Sequence, residues 1–336
     1  MSLPSTMLAI TLSTPATYTP SNPPSSLHLT TLPLPIPSPT QCLLRIHATA
    51  ITPYELSWPS PPSAPFPRIP AHDIAGTVIS SPPSSKFRSG DEVFALLPFD
   101  GQGGMAEYAV CEVGLLAKML KMDGFGFVDA AAVPRAAVTA LQACEGLSEG
   151  EKVLVLGASG AVGKMVVQFA RREVGGRGEV VAVGGAGCKG VGELGAGFVV
   201  DYRLGEGRWE DSVRKWVQGG EVDVLIDCLG GESLLRGTKL VKSGGRVMTV
   251  GSPPPEWAKK GEREWEEVEE EGLKKKFFIV EENGEQLEQI AKLIESGDLK
   301  TSVGLVIDGL TEDGVRDGYA RGLRGGLSGS VVVKIV

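Results

Sequence analysis

Residues 152–172 read KVLVLGASGAVGKMVVQFARR. Lys152–Gly157 is an apolar run of strand length, and Ala161–Arg172 places its apolar residues at helical spacing. Between them Gly157, Gly160 and Gly163 stand three apart. A glycine at 157 allows a tight turn out of the strand. One at 160 lets a pyrophosphate approach the backbone, and one at 163 lets the helix pack close to the sheet. The helix start presents free N–H groups and partial positive charge to an anion. The turn Gly157, Ser159, Gly160, Ala161, Val162 and Gly163 is therefore a candidate dinucleotide ledge. A purely structural glycine turn is the alternative, and the βα units downstream weigh against it.

Working outward, strands are expected at Glu179–Val183, Phe198–Tyr202, Val222–Cys228 and Arg246–Gly251, with helices at Trp209–Val217 and Ser233–Val241. This rhythm predicts an α/β fold with a doubly wound parallel sheet. The second strand ends in AVGGAG, with Gly184 and Gly185 where an NAD site usually carries an acid for the ribose 2′-OH. Lys189 follows, and Tyr202 and Arg203 close the third strand. No carboxylate repels a 2′-phosphate there, and these donors can neutralise one, so NADPH is the expected cofactor.

The ends of the chain differ in texture. Eighteen of 23 prolines lie within residues 1–83, and the first of 45 glycines is Gly76. Proline's missing N–H and fixed φ work against long helices in such a stretch; Met7–Leu12 and Cys42–Ala50 read as antiparallel strands, and 21–40 as a surface hairpin and loop. The charge run 256–276 reads as a solvated helix or insertion, followed by a strand at Phe277–Val280, a helix at Gln286–Ile294, and strands at Gly304–Ile307 and Val331–Val336. The net charge of −8 argues against a broad nucleic-acid face. No run of apolar residues is long enough for a membrane span, and the N-terminus lacks the basic pattern of a targeting segment. Five widely spaced cysteines form no CxxC pair, which suits a reducing cytosol.

Eight segments, in order, resemble the medium-chain dehydrogenase/reductase superfamily, in its zinc-free quinone oxidoreductase and enoyl reductase branch. IPAHDIAGTV (69–78), SGDEVFAL (89–96), GGMAEYAV (103–110) and VPRAAVTALQA (133–143) are similar to motifs ahead of the nucleotide turn. LGAGFVVDY (194–202), IDCLGGE (226–232), LVKSGGRVMTVG (240–251) and the segment from Phe278 to Lys300 are similar to motifs after it. The resemblance implies a GroES-like β-rich domain, residues 1–125 plus 267–336, with a Rossmann domain, 126–266, inserted in it. It also implies that the dinucleotide lies at the carboxyl ends of the parallel strands. Thr139 would bond near the nicotinamide, Val162 would lie beneath it, and Gly251, Ser252, Phe278 and Val280 would line that end. A homodimer is common in the family.

Zinc-dependent relatives use a Cys, a His and a second Cys for catalytic metal. Here the first position falls on Thr52, His72 stands at the second, and no cysteine cluster occurs between 90 and 125. A catalytic zinc needs three protein ligands, so no metal is expected and His72 reads as a structural histidine. Without a Lewis acid the expected chemistry is hydride transfer from NADPH to the β-carbon of an enone, or to a quinone. Thr52 and Tyr54 are the candidate catalytic residues, in a TPYE segment where the family commonly has Asn-Pro-x-Asp. Trp58 and Phe278 are the candidate substrate contacts. Tyr54 and Trp58 read equally well as packing side chains. A trans-acting enoyl reductase working on a carrier-bound polyketide remains open, as does an NADPH-binding protein with redox-neutral or lost chemistry.

Overall fold

Proline leaves the first eighty residues few ways to form anything but extended chain and turns, and the computed structural model has that form. It describes residues 3–14, 16, 19, 21–58, 66–204, 208–218, 220–258 and 267–336. The chain first forms β1 (Thr6–Leu12), β2 (Leu27–Pro33), β3 (Gln41–Ile51), β4 (Asp73–Ser80), β5 (Glu92–Leu96), β6 (Tyr108–Glu112), β7 (Ala117–Lys118) and α1 (Phe127–Ala131). Helix α2 (Pro134–Ala143) leads to β8 (Lys152–Leu156), α3 (Ala161–Val174), β9 (Glu179–Gly184) and β10 (Phe198–Asp201). Next come α4 (Trp209–Trp216), β11 (Val222–Asp227), α5 (Gly231–Thr238), β12 (Val241–Thr249), β13 (Val268–Glu270) and β14 (Leu273–Phe277). The chain ends with α6 (Gly284–Glu295), β15 (Val303–Asp308), α7 (Glu312–Arg324) and β16 (Ser330–Lys334).

Two compact units result: residues 1–138 with 282–336, and residues 139–281. The sequence expectation places the divisions at 125/126 and 266/267, earlier than the units divide. The difference has a packing cause. Helix α1 packs on β3 and β4 of the first unit, while β13 and β14 complete the sheet of the second.

In the first unit β3 is the organising strand. Its residues 41–45 pair with β6 and its residues 48–51 with β16, while β4 runs along its other edge. Hairpin β1–β2 stands as a separate antiparallel pair. Apolar residues of β1, β3, α7 and β16, with Leu56 from the short turn after β3, share one core: Ile10, Leu12, Ile51, Leu56, Val315, Tyr319 and Val333. A second core under β3–β5 holds Leu44, Ile46, Ile74, Val78, Phe87 and Val93.

The second unit carries a sheet ordered β10-β9-β8-β11-β12-β14-β13. The strands run parallel except β13. From β8 the chain builds outward to β9 and β10, then returns to lay β11 on the other side of β8. That reversal is a topological switch point, where open α/β sheets bind ligands beyond their strand ends. Strand β8 is buried from Val153 to Leu156, as expected for a central strand covered on both faces.

The stretch 256–276 departs from the expected solvated helix. Residues 259–266 of it lie outside the described residues, and the rest contains two strands. In LKKKF, residues 273, 275 and 277 turn inward. Period 2 thus overrides the run of charge, and the Lys275 ammonium is held 3.0 Å from both Glu270 and Glu271. Strand β14 consequently ends at Phe277, and 278–280 continue as irregular chain. Helix α5 stops at Thr238, so Val241 begins β12 where helix is expected. Among the described residues no helix is long and apolar enough to cross a membrane.

Phe94 sits on β5 with no exposed surface, and no polar partner complicates its removal. Phe94→Ala should cost about 3–5 kcal/mol of stability through lost burial and a residual cavity. Urea unfolding should register it as a lower midpoint with an unchanged slope.

Candidate active site

The glycine turn sits at the end of β8, on the switch point. Gly157 has φ +77°, a left-handed conformation in which a Cβ would also lie 3.0 Å from the Leu229 side chain. At Gly163 a Cβ would lie 2.2 Å from the Gly157 carbonyl oxygen and 2.8 Å from the Ala158 Cα. Only glycine lets α3 start this close to the strand. Gly160 differs: the nearest atom to a Cβ there is the Gly157 oxygen at 3.4 Å. The protein itself leaves that space open. Gly160 is the N-cap of α3 and contributes no side-chain cap. The first-turn N–H groups of a helix lack intrahelical partners, so those of Ala161, Val162 and Gly163 are available to an anion.

The end of β9 lies beside this turn. Ser159 Oγ accepts the Gly185 N–H at 3.1 Å. A Cβ at Gly184 would crowd Ser159 and Cys188 at 3.1 Å, and one at Gly185 would meet the Tyr202 ring at the same distance. The glycine pair therefore does two things. It admits the Ser159 and Tyr202 side chains, and it places no carboxylate at the sugar position. Tyr202 is half exposed, and Lys189 is exposed on the short turn Cys188–Gly190. Arg203 is not free as a phosphate donor. It makes a two-pronged ion pair with Asp201, which holds the Asp201 carboxyl down at about 2.

Across the switch point, β11 and β12 end together on Asp227. This fully buried carboxylate accepts N–H groups from Gly230 at 2.8 Å and Leu229 at 3.2 Å, and the Thr249 hydroxyl at 2.6 Å. Burial pushes its pKa up, against those hydrogen bonds. Thr249 Oγ1 in turn accepts the Gly251 N–H at 3.1 Å. A Cβ at Gly251 would sit 2.4 Å from the Gly230 nitrogen, so the two strand ends touch backbone to backbone. Ser252 is exposed just beyond. Phe278 donates its N–H to the Thr249 carbonyl at 3.2 Å, and Val280 is buried. Gly251, Ser252 and Phe278 thus gather at one strand end. Thr139 is buried in α2.

In the first unit a second cluster forms where β3 ends. Thr52 is buried and its Oγ1 has no hydrogen-bond partner among the described residues. Tyr54 is half exposed, in a left-handed backbone at φ 73°, a strained conformation for a bulky residue. Glu55 turns inward and is 3% exposed. It accepts the N–H groups of Thr52 and Ala71 and the Tyr319 hydroxyl. Burial pushes Glu55 up to about 7, partly opposed by these bonds. His72 is buried with Nδ1 unpartnered among the described residues. Burial, and secondarily the Arg68 charge, holds His72 at about 4, so the imidazole is neutral near pH 7. The Phe99 ring stands 5.0 Å from His72 and edge-on to Trp58 at 5.5 Å.

Sequence reasoning passed over Glu55, Arg68, Phe99, Tyr319 and Asp227. One signal was available for the first. Glu55 is the first acidic residue of the chain, and it sits directly before an apolar Leu at a strand end.

Family models match at two places: an alcohol dehydrogenase GroES-like domain over residues 38–142 and a zinc-binding dehydrogenase over residues 194–312. A probable mitochondrial zinc-binding oxidoreductase from Arthroderma benhamiae is 34% identical over 295 residues, 82% of this chain and 84% of its own length. The chain is a medium-chain dehydrogenase/reductase. A chloroplast envelope quinone oxidoreductase homologue from Arabidopsis thaliana is 30% identical over 90% of this chain and 92% of itself. A chloroplastic NADPH-dependent alkenal/one oxidoreductase from the same plant is 30% identical over 78% of this chain and 64% of itself. The chain belongs to the zinc-free quinone oxidoreductase branch, with a GroES-like first unit and a Rossmann-like second. It is an oxidoreductase of a family that binds nicotinamide dinucleotides, and the open ledge at Gly160 fits one.

The zinc in the family description does not fit this donor set. The Asp73 carboxylate is committed to Arg135, whose Nε lies 3.4 Å away. Thr52 offers a hydroxyl at the position where zinc-dependent relatives carry a thiolate. Cys42, Cys111, Cys144 and Cys188 are buried, and no group of three His, Cys, Asp or Glu converges among the described residues.

Gly160 and Gly163 separate binding from folding. Gly160→Ala should leave the thermal midpoint within a degree or two and raise the dinucleotide Kd tenfold or more, because its methyl enters only the ledge. Gly163→Ala should lower both affinity and thermal midpoint, because backbone must move. Calorimetry and thermal melts on both variants give the comparison.

Proposed function

We propose that this protein carries out metal-free, NADPH-dependent reduction of an α,β-unsaturated carbonyl or a quinone. The observation that carries the reading is the set of side chains where β3 ends, linked from Thr52 through Glu55 to Ala71, the residue before His72. It is a buried hydroxyl, an uncharged imidazole and two aromatic rings, where metal chemistry would need thiolates. Such a set does not polarise a simple carbonyl as a metal does. It suits a flat conjugated acceptor whose β-carbon is already electrophilic. When bound, the reduced nicotinamide supplies a hydride.

The protein's share is orientation and charge stabilisation. Thr52 Oγ1 donates to the acceptor oxygen as negative charge develops there. Tyr54 is the candidate proton donor to the α-carbon, and Trp58 with Phe99 forms an aromatic wall. On the Rossmann-like unit Phe278 is the candidate substrate contact, and Gly251, Ser252, Val280, Val162 and Thr139 are the candidates for the nicotinamide end. Preference for NADPH follows from Gly184 and Gly185, which carry no acid, with Ser159 and Tyr202 hydroxyls beside them and the Lys189 cation on the next turn. The NADPH-dependent name of the alkenal/one relative supports it. Free cysteines suit the cytosol, and a homodimer is the proposed assembly.

A panel of quinones, free enones and enoyl thioesters, run with NADPH and with NADH while following loss of absorbance, tests the reading. NADPH oxidation with enones or quinones is expected. Turnover of the enoyl thioesters alone would replace the substrate assignment, and tight NADPH binding without turnover would replace the reaction. Lys189→Ala should raise KM for NADPH at least tenfold and leave KM for NADH nearly unchanged; an equal rise would remove the 2′-phosphate role. Tyr54→Phe should lower kcat, and an unchanged kcat would remove Tyr54 as the acid.

A further inference from the structure

We infer that Glu55 is the positioning residue of the substrate side, its carboxylate tying Thr52 to Ala71 so that Thr52 and His72 are held in one arrangement. The inference rests on the proposed function for what that arrangement acts upon; the tie itself rests on geometry. Glu55 Oε1 accepts the Thr52 N–H at 3.0 Å and the Tyr319 O–H at 2.7 Å, and Oε2 accepts the Ala71 N–H at 3.1 Å. Arg68 Nη2 donates to the Glu55 carbonyl at 3.0 Å and the Trp58 carbonyl at 3.3 Å. One side chain thus joins the end of β3, the residue before His72, and helix α7.

Thr52 Oγ1 and His72 Nδ1 are buried with no hydrogen-bond partner among the described residues; Asp73 Oδ2 and Arg135 Nε also lack one, but they face each other as an ion pair. A buried polar atom without a partner is costly, and it persists when the surrounding backbone is fixed and the atom is kept for a ligand. Glu55 supplies that fixity. A carboxylate offers only acceptors, and the Thr52 N–H, the Ala71 N–H and the Tyr319 hydroxyl all donate to it. An amide or a protonated acid turns a donor toward one of them.

The charged and titratable groups facing Glu55 come from several elements. Arg68 comes from the segment before β4, Arg135 from α2 and Tyr319 from α7. Asp73 engages Arg135. Burial outweighs the favourable partners and lifts Glu55 to about 7. Glu55 therefore changes charge within the working range. Above the midpoint the carboxylate holds every donor, and below it the tie loosens.

The full-length protein with NADPH and an enone accepted by the wild type gives the test. Wild-type kcat should fall on the acid side with a midpoint near 7, while NADPH Kd stays level. Glu55→Gln should lower kcat at least tenfold, remove that acid limb and leave NADPH Kd unchanged. Glu55→Asp should restore part of the limb. A residue that merely supports folding would lower the active fraction and leave the limb in place. Retention of the limb in Glu55→Gln, or wild-type kcat, would overturn the inference. If Glu55→Gln does not fold, Tyr319→Phe removes one donor to the charged form and should move the midpoint upward; an unmoved midpoint counts against the tie.

If the wild type reduces no acceptor, the functional reading fails separately and stability decides the tie. An acid raised in the folded state binds its proton more tightly there, so wild-type stability should fall between about pH 4.5 and 7 and then level off. Glu55→Gln should lack that fall. Parallel stability curves would overturn the inference.

Discussion

The start of α3 lies against the end of β8 with no room for a methyl group between Gly163 and the Gly157 carbonyl. Much of the Rossmann-like unit depends on that contact. It sets how close the helix N-terminus comes to the sheet. It also places the open ledge at Gly160 on the switch point between β8 and β11. The same economy of side chain recurs at Gly230 and Gly251, where two strand ends meet through backbone. At Gly160 the missing Cβ leaves the first N–H groups of α3 open to a phosphate, whereas the Gly230 and Gly251 N–H groups are held by Asp227 and Thr249.

The GroES-like unit solves a different problem. It buries a glutamate, an arginine, a histidine and an aspartate near one strand end. Isolated, each would be expensive. Together they are paired: Glu55 with its three donors, Asp73 with Arg135, and Arg68 with two carbonyls. Removing one partner from such a group costs more than its mean bond strength suggests, because the remaining charge stays buried. Stability and chemistry therefore share residues there. The neutral His72 and the hydroxyl of Thr52 remain outside the pairing, which gives that region its capacity for a polar ligand in an aromatic setting.

The legible parts of the sequence were those where local pattern and final structure coincide. Strand β8, the glycine turn and α3 follow one another with nothing between, so spacing alone revealed them. Gly184 and Gly185 were legible as an absence of charge. The misreadings came where tertiary pairing won. LKKKF looks like solvated helix until β12 offers its edge, after which residues 273, 275 and 277 turn inward. Val241 looks like the end of a helix until β11 pairs with it.

The sequence by itself determined the order of elements, the family, and a nucleotide turn with no acid beside it. These are written in residues adjacent along the chain, where steric rules act directly. Only the tertiary structure decided that Arg203 is spent on Asp201, and that Glu55 meets Tyr319 264 residues away. It also decided that Thr52 and His72 are buried. Burial and long-range pairing belong to the folded arrangement, and electrostatics follow burial, so the ionisation of the substrate side could be read only once the chain had closed around it.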